Sequence, residues 1–408
     1  MTFDITESNT GHKSAACISV QLLLNRPLLW SGCRHHIGEV ILSHVFQDLQ
    51  IETSQSPDIT VFSKFRTNFR KLPQTCSLLN LSRFDKSIYS PEACQFLEDN
   101  IHQVLHAANV GMNRKRDDCR EFAELCLLFL NSAEIDKTVK FKKPGAVHRA
   151  RWLAKLLYSI KMCLLQKQIE ELPRGTITAP NQMKKIQEFV IFVTTIYSHW
   201  WMTCTSAVDA SWNDLQLYHR VLRYELVNLQ VTKSAIRALN RHLWYLTSEM
   251  VTLALFSNNV PNEVRRQLAD RLLALKPSSK SNNNNLPQNR FGTGFGKPKF
   301  PTNISLSTTL ADLAGPDSWF TFDILHMNSD FLKEDVTSWS SLASYQQSLE
   351  NTLAINVVND SAERCIKFSS NFLHAVKMED QYQNILQVVD RDRIQHPNIR
   401  TRRTKKQL

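Results

Sequence analysis

The chain has 408 residues, 42% of them hydrophobic, and its 49 Lys and Arg residues exceed its 38 Asp and Glu residues, which gives a net charge of +11. This length indicates two or three domains, and the hydrophobic content excludes a chain that is disordered throughout. Only ten residues are glycine, which argues against a fold of tight turns or glycine-rich phosphate loops and favours helices. The positive charge indicates either a polyanionic partner or a surface that serves solubility.

Cysteine usage and hydropathy indicate the compartment. Nine cysteines at irregular spacings in a long chain favour a reducing environment over a secreted disulfide framework. Residues 1–11 are polar and lack the apolar run of a cleavable signal. The most apolar stretch, residues 189–197, is shorter than the ~20 residues that span a membrane. We therefore expect an intracellular protein without a membrane partner, in which residues 189–197 form a buried helix.

The first 57 residues alternate between short apolar runs and helical patterns. This pattern predicts strands at residues 1–5 and 28–31 and helices at residues 14–24 and 35–49. Strands and helices that alternate at these lengths are typical of an α/β layer.

The remainder of the chain is predicted to be mainly helical. The 3.6-residue period of helices marks residues 58–69, 91–108, 116–130, 148–168, 183–203, 212–229, 233–257 and 261–275. Residues 276–301 are polar and low in complexity, which predicts a flexible linker. Helices and turns follow, with one long helix at 354–378 and a basic, disordered tail at 390–408. The predicted fold class is therefore mostly α with a small α/β part.

Two segments in the α/β part could present metal ligands. Asp4 ends the first predicted strand beside a turn, where its carboxylate could bind Mg²⁺ or could simply cap the turn. Cys33 and His36 stand between a strand and a helix, and could face one ligand or pack against each other. A zinc site would need two more ligands, and no second Cys and His pair follows at the required spacing. Zinc is therefore not expected.

A basic run in the helical part could bind nucleic acid. Residues 137–167 contain nine Lys and Arg residues and no Asp or Glu. Charge of one sign beside a helix is expected at phosphate contacts, and Trp152 could stack on an exposed base. The alternative is a solvated basic helix face with Trp152 in the core. The residues predicted to contact DNA are Lys140, Lys142, Lys143, His148, Arg149, Arg151 and Trp152.

An acidic residue in the long late helix allows two interpretations. Glu363 lies among apolar residues at helical spacing and could point into an active site. It could equally lie on an exposed face and pair with Lys367, four residues further on.

Four segments, in this order along the chain, match motifs of one protein family. They are residues 4–11 (DITESNTG), 33–36 (CRHH), 144–152 (PGAVHRARW) and 359–367 (NDSAERCIK). In these segments the chain resembles transposases of the hAT superfamily, and more closely the divergent hAT-like proteins of invertebrate genomes.

The resemblance implies an RNase H-like core that is interrupted by a large helical insertion. The core would be partial here and would occupy residues 1–57. The insertion would begin at residue 58, continue to 275, and end at 302–345 beyond the linker. Residues 346–389 would then carry a helix that returns to the core.

The resemblance also assigns roles to individual residues. Asp4 matches the second catalytic acid of the family and Glu363 the third, so both would bind Mg²⁺ that activates the attacking group and stabilises the leaving oxygen. Cys33 and His36 match a structural Cys-x-x-His motif. Arg151 and Trp152 match an Arg-Trp pair that lies near the DNA ends.

One departure from the family pattern concerns activity. The first catalytic Asp and the zinc finger of the family precede the position that Asp4 matches, and the chain contains no counterpart of either. We therefore expect an N-terminally truncated, transposon-derived nuclear protein that binds DNA and lacks transposase activity. Family members often oligomerise, so a homo-oligomer is also implied. The alternative is a non-catalytic helical protein that binds other proteins.

Overall fold

The structure, a computed structural model, describes residues 2–11, 15–51, 59–112, 117–130, 138–145, 153–203, 205–276 and 297–359. These residues are mostly helical, as the sequence predicts. The helices are α1 (Glu7–Thr10), α2 (Ala16–Leu24), α3 (Arg34–Asp48), α4 (Thr60–Asn68), α5 (Pro91–Gly111), α6 (Asp117–Phe129), α7 (Ala154–Leu164), α8 (Gln166–Glu170), α9 (Pro180–Phe192), α10 (Ser198–Met202), α11 (Ala207–Arg223), α12 (Leu229–Leu239), α13 (Asn262–Ala274), α14 (Leu310–Leu313), α15 (Ser318–Ile324) and α16 (Ala343–Leu353).

A two-stranded parallel sheet lies near the start of the chain. Strand β1 (Thr2–Phe3) pairs with strand β2 (Ser31–Gly32), and helices α1 and α2 connect them. The backbone N–H of Cys33 donates to the carbonyl of Phe3 at 2.8 Å, which extends the pairing by one residue. Gly32 is required here, because a Cβ would lie 2.7 Å from Cδ1 of Trp244. Two strands and two helices agree with a small α/β part but do not identify an RNase H-like core, so that assignment remains a prediction.

Residues 354–359 run beside this sheet without forming a helix. The hydroxyl of Thr2 donates to the carbonyl of Asn356, and the backbone N–H of Arg34 donates to the carbonyl of Val357 at 2.9 Å. The predicted helix at 354–378 is therefore wrong over its first six residues. These carbonyls hydrogen-bond across to the sheet and helix α3, which a helix in their place would prevent.

The predicted helix at 233–257 is interrupted. Helix α12 ends at Leu239, and two 3₁₀-helices follow at Trp244–Leu246 and Met250–Phe256. The hydroxyl of Tyr245 donates to the carbonyl of Gly32 at 2.6 Å. The Trp244 ring packs edge-on against Phe3 with a centroid distance of 5.3 Å. The chain leaves the helical path because these two side chains have to reach the sheet.

A second sheet was not predicted. Strand β3 (Thr75–Ser77) pairs with strand β4 (Thr138–Lys140) in an antiparallel arrangement. The backbone N–H of Phe141 also donates to the carbonyl of Gln74 at 2.8 Å. Both strands have only three residues, too few for an alternating pattern to be recognised in the sequence.

One hydrophobic core extends through the described residues, from Phe3 to Val357. Residues 189–197 lie in it, as predicted: they end α9 and form the π-helix Val193–Tyr197. No described helix is both long enough and apolar enough to cross a membrane. The predicted domain boundaries remain predictions. Most of the linker at 276–301 and everything predicted for 360–408 lie outside the described residues.

Candidate functional site

Asp4 and His36 meet at one edge of the parallel sheet. Asp4 directly follows β1, Cys33 directly follows β2, and His36 lies in the first turn of α3. The carboxyl ends of parallel strands share one edge of a sheet, which brings these residues together. Nδ1 of His36 contacts Oδ1 of Asp4. Two of the residues predicted for the site therefore interact directly.

Asp4 also has the local role that the sequence left open. Its Oδ1 accepts a hydrogen bond from the backbone N–H of Thr6 at 3.2 Å, and its carbonyl accepts one from the side chain of Asn9 at 2.8 Å. These bonds shape the turn that leads into α1. Asp4 thus orders its own turn and holds His36 with the same carboxylate oxygen.

The metal prediction depends on a residue that the structure does not describe. Glu363, predicted to join Asp4 at Mg²⁺, lies outside the described residues. Among those that are described, no three His, Cys, Asp or Glu side chains stand close enough to hold a metal ion. Cys33 lies beside Asp4 in the fold, but its side chain is fully buried. The described part of the edge therefore offers Mg²⁺ one carboxylate, Asp4, which already contacts an imidazole.

Cationic and imidazole groups surround this edge. The pKa of His242 is lowered to about 4. Burial is the main cause, and the nearby side chains of His36, Lys297, His44 and Arg241 add to it. The ammonium group of Lys297 lies 4.8 Å from the ring centre of Trp244, which packs on the sheet. Lys297 and Arg241 thus bring positive charge close to His242, which itself lies near His36.

The free energy of unfolding is expected to fall as the pH is lowered from about 6.5 to about 4, in part because of His242. In the unfolded chain this imidazole binds a proton near pH 6.5, whereas in the folded protein it does so only near pH 4, so the unfolded state takes up more protons in this window. Burial also lowers the pKa of His199 to about 4, so this residue changes the free energy of unfolding in the same direction. Urea denaturation across this range should show a shallower pH dependence for His242→Gln than for the wild type. Two parallel curves would contradict this assignment.

A buried ion pair connects the sheet edge to the helices. The side chain of Arg34, the first residue of α3, is 0% exposed and lies 2.5 Å from Asp214 of α11. The guanidinium group also lies over the rings of Trp200, at 5.1 Å, and Tyr245, at 5.4 Å. The Trp200 indole N–H donates to the same oxygen of Asp214 at 2.6 Å. This pair was not predicted, because nothing in the sequence pattern relates two residues on separate helices.

The predicted basic run divides into exposed and buried parts. Lys140, Lys142 and Lys143 are exposed. Lys161 is buried: its ammonium group lies 2.6 Å from Glu121 and donates to the carbonyl of Lys142 at 2.8 Å. Lys155 donates to the hydroxyl of Ser43 at 2.6 Å. The two lysines of α7 therefore have structural roles and do not form a solvated face. His148, Arg149, Arg151 and Trp152 lie outside the described residues.

The exposed part of the run borders an open cleft, here called the basic cleft. Its lining residues are Arg66, Thr67, Arg70, Lys143, Pro144 and Gly145. The β3–β4 pairing holds residues 138–141 against the segment that follows Arg70. The sequence contained a signal for this surface: residues 59–84 include five Lys and Arg residues and no Asp or Glu. Two acid-free segments therefore meet in the fold.

Lys142 and Lys143 have different surroundings although they are adjacent. Lys142 interacts with Glu124. Burial raises the pKa of the Glu124 carboxyl, and the nearby Lys142 lowers it. Lys143 lines the basic cleft together with two arginines, and the lining residues that the structure describes include no acid. Of the two lysines, only Lys143 belongs to the cleft, where a polyanion would meet a surface of one charge.

Comparison of the chain with models of known protein families, with curated proteins and with solved structures finds no match. The resemblance to hAT transposases therefore rests on the four sequence segments alone.

Proposed function

We propose that the chain is a hAT-transposase-derived protein that binds duplex DNA through the basic cleft and has no transposase activity of its own. DNA binding would place it in the nucleus, and a homo-oligomer fits the same origin. The sheet edge around Asp4 would be the remnant of a catalytic core, with Glu363 as its second carboxylate and Mg²⁺ as its cofactor.

The observation that carries the DNA-binding proposal is the charge of the basic cleft. Arg66, Arg70 and Lys143 converge on one open surface, and none of the described residues that line it is acidic. Phosphate contacts supply most of the affinity of sequence-independent DNA binding, and they need clustered cations that are not already paired. Lys140, exposed on β4, adds a further positive charge three residues before Lys143.

The contacts of Asp4 support the absence of catalysis. Its carboxylate contacts His36 and the backbone of Thr6. Two-metal phosphoryl transfer needs several carboxylates around a pair of divalent ions. In the proposed remnant, Asp4 is instead committed to His36 and to its own turn.

The affinity for a short fluorescent DNA duplex should fall steeply with salt, and Lys143→Glu should weaken it more than Lys142→Glu. Each phosphate contact contributes about −0.9 to the slope of log K against log[salt]. Lys143→Glu should therefore reduce the slope by about 1 or more. The matched variant Lys142→Glu makes the same charge change one residue away, beside Glu124, and should change the slope less. Anisotropy titrations at several salt concentrations measure both.

Equal effects of the two variants would contradict the role of the basic cleft. The same duplex, carrying transposon-like ends and incubated with Mg²⁺, should remain intact. Cleavage that is lost in both Asp4→Ala and Glu363→Ala would overturn the absence of transposase activity and leave DNA binding in place.

A helical protein-interaction protein is the second candidate, favoured by the exposed leucines of α2. Leu22, Leu23 and Leu24 are 56%, 68% and 50% exposed and adjoin one another at the end of the helix. Contiguous apolar surface of this kind often marks a protein contact. If the wild type does not bind DNA even at low salt, this candidate is preferred.

A further inference from the structure

Arg220 of α11 is a half-buried cation whose partners are both neutral. One of its terminal nitrogens lies 3.0 Å from Nδ1 of His199 on α10. The other donates to the side-chain oxygen of Gln103 on α5. No carboxylate lies within ion-pair distance of Arg220 in the part of the chain that the structure describes. Burial accordingly lowers the pKa of Arg220 to about 10.

This arrangement differs from that of the other buried arginine of the same region. Arg34 lies against the carboxylate of Asp214, as buried cations usually do. A guanidinium group has five N–H donors, and His199 and Gln103 account for two of those on Arg220. Donors therefore remain for an anion that would supply the missing negative charge.

Two histidines complete the surroundings of Arg220. Because a guanidinium group only donates, Nδ1 of His199 accepts, and the proton of the neutral ring is on Nε2. His106 is exposed on α5, three residues and thus one turn after Gln103. Burial, then Arg220 and His106, lowers the pKa of His199 to about 4. Arg220 and His106 thus both lie near His199, and each can donate to an oxyanion.

We propose that Arg220 and His106 bind a phosphate group beside His199, between helices α5, α10 and α11. Arginine suits this ligand because its planar fork of donors matches two phosphate oxygens, and the imidazole N–H of His106 adds a further charge-assisted bond. The phosphate group belongs either to a free phosphate ion or to a nucleic-acid backbone. The site does not depend on the basic cleft, which other elements form.

Inorganic phosphate should stabilise the wild type against thermal unfolding, compared with chloride at equal ionic strength, and Arg220→Gln should abolish this effect. The matched control is Arg223→Gln on the same helix: Arg223 is exposed and lies 5.2 Å from the ring centre of Phe96, away from the histidines. This control should retain the full response. Isothermal titration should show that Arg220→Gln weakens phosphate binding by about tenfold or more.

A second variant and a second measurement distinguish loss of phosphate binding from unfolding of the Arg220→Gln variant. His106→Asn changes an exposed side chain and should weaken phosphate binding several-fold in a folded protein. In the wild type, NMR titration should show that phosphate raises the pKa of His199 from about 4. An unresponsive His199, or phosphate binding that persists unchanged in Arg220→Gln, would overturn the site.

Competition with a short DNA duplex distinguishes the two sources of the phosphate group. If the site binds the DNA backbone, phosphate will compete with the duplex, and Arg220→Gln will weaken duplex binding. If it binds the free ion, duplex affinity will be the same in Arg220→Gln and the wild type. In both cases Lys143→Glu leaves the phosphate response intact, so failure of the basic cleft and failure of this site are separable.

Discussion

Replacing Asp214 by alanine is expected to lower the free energy of unfolding by about 3–5 kcal/mol, because it removes a carboxylate from a fully buried guanidinium group. The same change deprives the indole N–H of Trp200 of an acceptor at 2.6 Å, which adds a desolvation cost. Urea denaturation, followed by circular dichroism, measures the loss as a shift of the midpoint at constant slope.

Two further variants show whether the loss comes from the buried charge. The double variant Arg34→Met with Asp214→Leu removes both charges and should recover much of the stability, since apolar residues often replace a buried ion pair without loss. Glu98→Ala breaks the exposed ion pair with Lys86 and should leave the midpoint almost unchanged. A shift for Asp214→Ala as small as that for Glu98→Ala would show this account to be wrong.

Replacing Gly38 of α3 by alanine is expected to lower the free energy of unfolding by about 1–3 kcal/mol, although alanine has the higher helix propensity. The added Cβ would run into the hydroxyl of Tyr197 and would lie 2.9 Å from Cζ3 of Trp200. Both rings are buried, 0% and 2% exposed, so neither can turn aside. Helix α3 would therefore have to move away from the π-helix Val193–Tyr197. Thermal denaturation should show a lower midpoint.

Gly145→Ala is the matched control for this prediction. A Cβ at Gly145 meets no atom of the described residues within 4 Å, so the free energy of unfolding of this variant should remain within about 0.5 kcal/mol of the wild type. Equal midpoints for the two alanine variants would mean that the contact between α3 and the π-helix relaxes without cost.

The helices could be predicted because each buries one face, and a buried face leaves a 3.6-residue period in the sequence. This period predicted α5, α6 and α13 to within a few residues. It failed where a distant part of the chain decides the backbone. Trp244 and Tyr245 fit a helical pattern, yet they leave the helix to reach the sheet. Residues 354–359 are non-helical because their carbonyls bond to Thr2 and Arg34.

The candidate sites were predictable to a similar extent. The contact of Asp4 with His36 follows from their positions after adjacent parallel strands; the two strands were predicted, but their pairing and this contact were not. The basic run was recognised by charge alone, and charge does not reveal which side of a helix faces the core. Lys161 therefore counted as a surface cation although it is buried. No pattern in the sequence pointed to Arg220, because its neutral partners lie on two other helices.

The buried ammonium group of Lys161 has a mechanical consequence for the exposed lysines. It holds the carbonyl of Lys142 at 2.8 Å, while the hydroxyl of Tyr158 donates to the carbonyl of Gly145. The main chain on both sides of Lys143 is thus attached to α7, and its conformational entropy is already lost on folding. A polyanion that docks on Lys143 meets a preorganised backbone and orders only the lysine side chain, so more of the interaction energy remains as affinity.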